Sequence, residues 1–486
     1  MTKRALTPLA VALALLAPEV ASAQEQFVAQ PDSPQWLKDR RYNEGEGIRT
    51  GDLELHPGIA GEFGYDSNWF YRSDKTFTPT PASNGPPLTP PIPALEFRLT
   101  PSLYLSTLGA QRREGDLVAE PPAVAFRAGI NATYREYIGV SSDPAASQSQ
   151  NDISKQRNIG GAADARLDIL PQKPFGAAIY ANYARVIQPN YGTADPNLSF
   201  NRDDIGVGGE FVVQPGSGTL DWRFGYRFHD TVFEDSAGTP FNNTTNEGYT
   251  RGRWKFQPRT ALIYEASLGY TAYSNQGQAQ SQEGLVNSTP VRTKIGINGL
   301  ITDRFALLAM AGWGASFYDT GTIKAQPQYD SVIGQAELKW FISANPGVQS
   351  PNEVGLALSS LAVGYTRDFT NSLLGNYYGQ DRGYLKFSYF FAGRALVTLE
   401  GGVAAVEYPN MLWGDGTLRH NSFTDERVDA TLFGEYRFTN ALGVNVTARY
   451  TANFSNTQII ATEGSNAFFD MSWNRFEAFL GVRYFL

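Results

Sequence analysis

Cysteine is absent from this 486-residue chain, and methionine and histidine are scarce at four and three copies. No disulfide can brace the fold, no lipid can be attached through a processed cysteine, and thiolate metal chemistry is excluded. Long apolar runs are also missing after residue 23. The nearest, FALLAMAGWGA at 305–315, falls well short of the roughly 18 residues that a membrane-spanning helix needs. Nor is there an excess of positive charge. Lys and Arg number 40 against 48 Asp and Glu, a net charge of −8, which argues against a nucleic-acid partner.

What is present is aromatic and glycine-rich. Phe, Trp and Tyr make up 13% of the chain, Gly occurs 48 times, and the mean hydropathy is only −0.31. That balance suits amphipathic strands with aromatic girdles. At the N-terminus, Lys3 and Arg4 precede an apolar run over 5–17 and the small-residue site Ala21-Ser22-Ala23. This reads as a secretory signal peptide over 1–23, with the mature chain starting at Gln24. Residues 24–51 are then a short periplasmic segment and 52–486 the main domain.

The side-chain period in that domain is two. In LDWRFGYRFH at 220–229, Leu220, Trp222, Phe224, Tyr226 and Phe228 alternate with Asp221, Arg223, Gly225, Arg227 and His229. Residues 427–438 and 440–454 repeat the split, as do 122–135 and 260–273. Such ribbons are strands with one apolar and one polar face. About eighteen of them are predicted, beginning near residues 54, 94, 122, 155, 175, 200, 219, 246, 260, 288, 304, 329, 354, 377, 394, 422, 440 and 468. Their connections alternate between short turns, such as PRT at 258 and TN at 439, and long polar loops, such as NQGQAQSQEG at 275 and PNMLWGDGT at 409. Two connections on the short side, 109–121 and 344–353, are longer than this rule expects. The fold class is therefore all-β, a transmembrane antiparallel barrel of about 18 strands with its apolar face toward lipid.

The last strand, RFEAFLGVRYFL, sets Phe476, Leu480, Val482, Tyr484 and Leu486 on one face. Gly481, Val482, Tyr484 and Leu486 resemble the C-terminal signal read by the machinery that inserts outer-membrane barrels, with Leu486 in place of the usual terminal Phe. The expected location is the outer membrane of a Gram-negative bacterium, with its lipid, lipopolysaccharide and the insertion machinery as partners. The segment GEGIRTGDLELHPGIAGEFGYDSNWFYR at 45–72 carries a second resemblance through Tyr65-Asp66-Ser67-Asn68 and the aromatic that follows. It is similar to the outer-membrane β-barrel porin family associated with exopolysaccharide export. That resemblance implies a conduit for a secreted polysaccharide, working with periplasmic polysaccharide-export proteins.

A barrel this wide encloses an aqueous channel, and the few tens of residues before the first strand are too few for a globular plug. Turning the polar faces inward makes Arg223, Arg227, Arg292, Lys294, Arg427, Arg437 and Arg449 pore-lining residues, along with Arg98, Arg127, Arg166, Arg251, Arg253, Lys255, Lys339 and Arg483. Inward carboxylates include Glu62, Asp164, Glu210, Asp221, Glu265, Glu337, Asp429, Glu435 and Glu477. Two consequences stay open: pairing that stiffens the wall, or a basic lumen that attracts anionic solutes. Trp254, Trp313 and Trp340 are expected in the interfacial girdle. Tyr65, Trp69, Phe70 and Tyr71 are either girdle or a stacking platform at the mouth, and the Pro-rich 76–93 stretch is a surface loop or an inward constriction. No metal-ligand spacing or phosphate loop is present, so no cofactor or metal is expected. The function is read as a porin-like channel for secreted exopolysaccharide or another anionic solute, against a general diffusion porin. A surface structural protein or a barrel hydrolase using His229 with a neighbouring Asp or Ser comes third, and catalysis is not expected.

Deleting Tyr484–Leu486 should leave the chain exported and cleaved after Ala23 but not inserted, whereas Leu486→Phe should be tolerated. Membrane fractionation checks this, and normal outer-membrane levels of the truncated chain would contradict the signal.

Overall fold

A computed structural model describes residues 47–73, 91–107, 123–140, 153–188, 200–215, 218–319, 326–342, 359–391, 394–460 and 468–486. The signal segment, most of the Pro-rich stretch and the connections at 109–121 and 344–353 lie outside the described residues. Eighteen antiparallel strands follow one another around a closed ring. They are β1 (Leu53–Asp66), β2 (Ala94–Thr107), β3 (Val124–Gly139), β4 (Asn158–Ile169), β5 (Phe175–Val186), β6 (Arg202–Val213), β7 (Leu220–Phe233), β8 (Asn243–Gln257) and β9 (Thr260–Tyr273). The second half comprises β10 (Ser288–Thr302), β11 (Phe305–Tyr318), β12 (Tyr329–Phe341), β13 (Ser360–Ser372), β14 (Asn376–Phe391), β15 (Ala395–Tyr408), β16 (Phe423–Arg437), β17 (Leu442–Phe454) and β18 (Trp473–Phe485). These starts follow the predicted ones closely. The largest shifts are at β13 and β18, and before β18 the segment Phe468–Asp470 pairs instead with Gln458–Ile460 in a separate ribbon.

The alternation decides which face each residue takes. On β18, Phe476, Leu480, Val482 and Tyr484 are 42–59% exposed on the outside, while Arg475, Glu477, Phe479, Arg483 and Phe485 are buried on the inside. On β7, Phe224 and Tyr226 are about half exposed outward, opposite to Arg223 and Arg227. An exterior band of exposed Ile, Val, Leu and Phe around every strand is stable only against lipid. Inside, large rings use the space that glycine leaves. A Cβ at Gly208, Gly225 or Gly364 would lie 2.2–2.3 Å from Tyr180, Tyr249 or Tyr384 on the neighbouring strand, so each Tyr lies flat over a Gly.

Both ends of the chain reach the ring at the same rim, here the terminal rim. The connections there include Pro258–Arg259 and Asp303–Arg304, and most connections at the opposite, distal rim are long. The distal loops are not all irregular. NQGQAQSQEG contains a helix, α1 (Gln276–Glu283), closed by Gly284 at φ 68, and Met411–Leu412 pairs with Leu418–His420 in a small hairpin. The polar Gln-rich run has no helical apolar stripe, so its helix comes from docking onto other loops rather than from pattern.

Closure depends on the seam between β1 and β18, which pair from Gly58↔Phe485 to Asp66↔Glu477. Tyr65-Asp66-Ser67-Asn68 sits at its distal end. Arg475 donates to Asp66 through Nε at 3.0 Å and Nη2 at 2.6 Å, and to Glu477 at 3.0 Å. Ser67 exchanges bonds with the Phe476 backbone at 2.7 and 2.9 Å, and the Asn68 side-chain amide donates to the Arg72 and Asn474 carbonyls. Arg98, Arg135, Glu96 and Arg449 extend the same network, all facing inward. Carboxylates of Asp66, Glu96 and Glu477 converge closely enough to hold a metal ion. The guanidinium groups among them already supply the counter-charge, so the cluster is an ion-pair clasp.

Removing one partner of so buried a pair leaves the other uncompensated, at a cost of about 3–5 kcal/mol. Arg475→Leu should therefore lower the temperature at which the folded band converts to the unfolded band on gels. Trp254→Phe, on the lipid face, should leave that temperature unchanged.

Candidate functional site

The register places every predicted pore-lining residue on the inner face. Arg223 lies directly across from Arg251 on the β7–β8 pair, an arrangement that repels unless a carboxylate intervenes. Glu210 on β6 does so. It is 5% exposed and meets Arg251 at 2.6 Å, Arg166 at 3.3 Å and Arg223 at 3.5 Å, while Tyr249 donates to it at 2.6 Å. Arg227 is forked onto Glu247 at 2.9 Å and keeps about half its side chain open to the lumen. Arg292 donates to Asp368 at 3.1 Å, and Lys294 lies 3.5 Å from Asp368 and 3.9 Å from Glu265. Arg427 donates to Asn453 and to the Tyr408 hydroxyl, Arg437 to Glu435 at 2.5 Å, and Arg449 lies 3.8 Å from Glu477.

The inner face also holds residues that the sequence reading passed over. Arg135, Arg382, Lys386 and Arg475 join the cations, but Asp66, Glu96, Asp204, Glu247, Asp368, Glu400 and Asp425 join the carboxylates. Carrying the alternation four steps further from Arg127 along β3, through Gly129, Asn131 and Thr133, would have found Arg135. With these included, the lumen is a lattice of cross-strand ion pairs, and the surplus of positive charge largely disappears. What remains is uneven. Cations in the distal half, such as Arg98, Arg135, Arg382 and Arg475, are nearly fully buried in pairs, whereas Arg253, Lys339 and Lys386 near the terminal rim are more than a third exposed.

The aromatic segment after Asn68 does not form an open platform. Tyr65 faces outward, but Trp69 and Phe70 are buried with Ile92, Tyr137, Ile153 and Ile187, and Tyr71 packs edge-on against Trp473 at 4.8 Å. Trp254, Trp313 and Trp340 are 38–50% exposed on the outside, and the Trp313 indole donates to Asp330 at 2.6 Å.

Across the distal mouth, the loops share one apolar core. Phe200, Phe233 and Phe241 from the β5–β8 side pack in the same cluster as Leu285, Leu374, Tyr408, Met411, Ile459 and Trp473 from the far side. Strands β7 and β15 are eight places apart in a ring of eighteen, close to diametrically opposite, so this cluster bridges the opening. Contact is intimate. A Cβ on Gly284 would lie 2.0 Å from the Leu412 carbonyl oxygen, and one on Gly414 would lie 2.4 Å from that of Gln280 in α1. Asn376 joins the layers, accepting from the Val286 N–H at 3.1 Å and donating to Gln326 at 2.9 Å. Between α1 and the hairpin, Glu283 and Arg419 form a buried pair at 3.3 Å, with Arg419 stacked over Trp413 at 4.4 Å. Burial pushes the Glu283 carboxyl up to about 7, opposed by Arg419, and pushes the Arg419 guanidinium down.

A hydrolytic site does not assemble around the histidines. His229 places one nitrogen, Nε2, near both Thr231 at 3.3 Å and Asp204 at 3.7 Å, while Asp230 faces outward. A nucleophile–His–carboxylate relay needs the two ring nitrogens to serve different partners. His56 is buried beside Glu54, and His420 lies in the distal hairpin.

No protein-family model and no curated protein matches the sequence. Solved structures similar to it include OccAB4 of Acinetobacter baumannii, at 9% identity over 91% of this chain and 99% of that one, with a TM-score of 0.41. OpdQ of Pseudomonas aeruginosa is 13% identical over 90% and 98% of the two chains, at 0.41. The FrpB iron transporter from Neisseria meningitidis is 9% identical over 90% and 83%, at 0.43. Likeness this low says nothing of what this chain passes, and the fold rests on its own strand pairing.

Arg419→Met should leave the Glu283 carboxyl in an apolar layer without its counter-charge and loosen the distal layer. Faster proteolysis between 409 and 422 reads this out, and Glu283→Gln added to it should restore protection. Because the closed form holds Glu283 near 7 and the open form near its ordinary value of 4.5, the stability of closure is full below about 4.5 and lost as pH rises through about 7. Protection should fall over that window, and Glu283→Gln alone should flatten the fall.

Proposed function

We propose that the protein is an outer-membrane channel for an anionic solute, shut at rest by its folded distal loops. The observation that carries this reading is the pairing of an exterior built for lipid with an interior built of ionised, water-compatible side chains. Both follow from one alternation on a ring too wide to fill with its own side chains. Short turns and both termini mark the periplasmic rim, and the long loops mark the outer one. The shared apolar core of those loops favours a gated conduit over a permanently open diffusion porin. A secreted polysaccharide, handed over by periplasmic export proteins, is the cargo suggested by the resemblance at Tyr65–Asn68. In this chain those residues clasp the seam, so they speak for the barrel and leave the cargo to be tested directly.

The test is conductance in planar bilayers. Wild-type protein should conduct rarely and Arg419→Met more often. The open channel should carry anions in modest preference to cations, and raising salt should weaken that preference. Arg223→Gln with Arg227→Gln should reduce it, and Trp222→Phe should not. Cation preference would overturn the choice of solute. Silence in both wild type and Arg419→Met would overturn the channel itself.

A further inference from the structure

Inside the terminal half of the barrel, one row of the register reads Lys339, Ala362, Lys386, Glu400 across β12 to β15. Two lysines thus stand two strands apart, about 10 Å between backbones, with only a methyl group between them. A recess of about 340 Å³ opens there, lined by these residues with Ser360, Ser388, Thr398 and Phe433 among others. Neither ammonium is tightly held. Lys339 lies 3.9 Å from Glu337 and Lys386 3.6 Å from Glu400, beyond good hydrogen-bond length, and the two side chains are 41% and 39% exposed. The neighbouring carboxylates are engaged elsewhere or in water. Glu337 accepts from the Tyr384 hydroxyl at 2.8 Å, Glu435 from Arg437 and Arg483 at 2.5 and 2.6 Å, and Glu400 is 48% exposed. This differs from the distal half, where Arg98, Arg382 and Arg475 are each forked onto a carboxylate.

We infer that this recess is a binding site for a small hydroxylated carboxylate of the uronate type. The carboxylate sits over Ala362 between the two ammonium groups, the hydroxyls meet Ser360, Ser388 and Thr398, and the apolar face of the ring lies toward Phe433. Two flexible lysines flanking a small residue suit a bridging anion, because each keeps free donors and neither must abandon a strong partner. The inference deepens the channel reading, giving the lumen a capture point at its periplasmic rim, where an outbound anion would first meet the wall.

Calorimetric titration of the full chain in detergent tests it, with sodium glucuronate, glucose and acetate as probes. Glucuronate should bind, with glucose and acetate weaker by about tenfold or more. Lys339→Gln with Lys386→Gln should weaken glucuronate by about tenfold, and Trp254→Phe, on the lipid face, should leave it within about twofold. Ala362→Met, which fills the recess without touching charge, should have the effect of the double variant. A heat-modifiable gel band shows that each variant is folded. Glucose binding as tight as glucuronate, acetate equal to it, an unaffected double variant, or no glucuronate binding would each overturn the site. Binding is read here without conduction. A silent barrel that binds glucuronate would sink the channel and leave the site, and a conducting barrel that ignores it would do the reverse.

Discussion

Everything in this protein depends on one pairing, that of its first strand with its last. A backbone amide facing lipid has no water to turn to, so an unpaired strand edge within the membrane costs several kcal/mol per group. The chain meets that constraint by aligning β1 with β18 and fastening their distal ends with Asp66, Arg475 and Glu477. The fastening is ionic because it faces the lumen. An apolar contact would hold the outside of the seam no better than lipid does, whereas a buried charge pair with bidentate geometry fixes register as well as proximity.

The same inward placement shapes the rest of the interior. Once the apolar half of every strand is assigned to lipid, the polar half of eighteen strands must be accommodated on a concave wall. Charges on neighbouring strands then stand about 5 Å apart, close enough that like charges such as Arg223 and Arg251 need a shared carboxylate. Glu210, Glu435, Asp368 and Glu477 each serve two or more cations for this reason. The lattice stiffens the wall and spends most of its charge internally. Attraction for an anion is left to the few cations that the lattice does not saturate, and those lie toward the terminal rim.

The distal closure follows a different logic. Loops above a barrel have no lipid to cover their apolar groups, so Phe233, Tyr408, Met411 and Trp473 find one another across the opening. Among the described residues, the resulting layer is held by packing, by the amide of Asn376 and by the buried Glu283–Arg419 pair, which is costly to maintain. A layer built from loop packing rather than from strand ladders is the part of the molecule best suited to move.

The sequence by itself determined the strands, their number and their facing. A period of two is a property of the extended backbone, so Arg223 and Phe224 were bound to point to opposite sides wherever the strand lay. Exclusion of membrane-spanning helices came from the short apolar runs, and for strands in lipid closure is the solution that pairs every backbone group. What the tertiary structure decided is everything that depends on which residues become neighbours. A list of inward cations made the lumen look basic, because the register that sets Glu247 beside Arg227 or Asp368 beside Arg292 and Lys294 is not written in either strand alone. Tyr65-Asp66-Ser67-Asn68 became a clasp only when β18 was laid beside it. The helix at 276–283 and the apolar layer over the mouth were equally hidden, since loop residues carry no period and their partners lie on the opposite side of the ring.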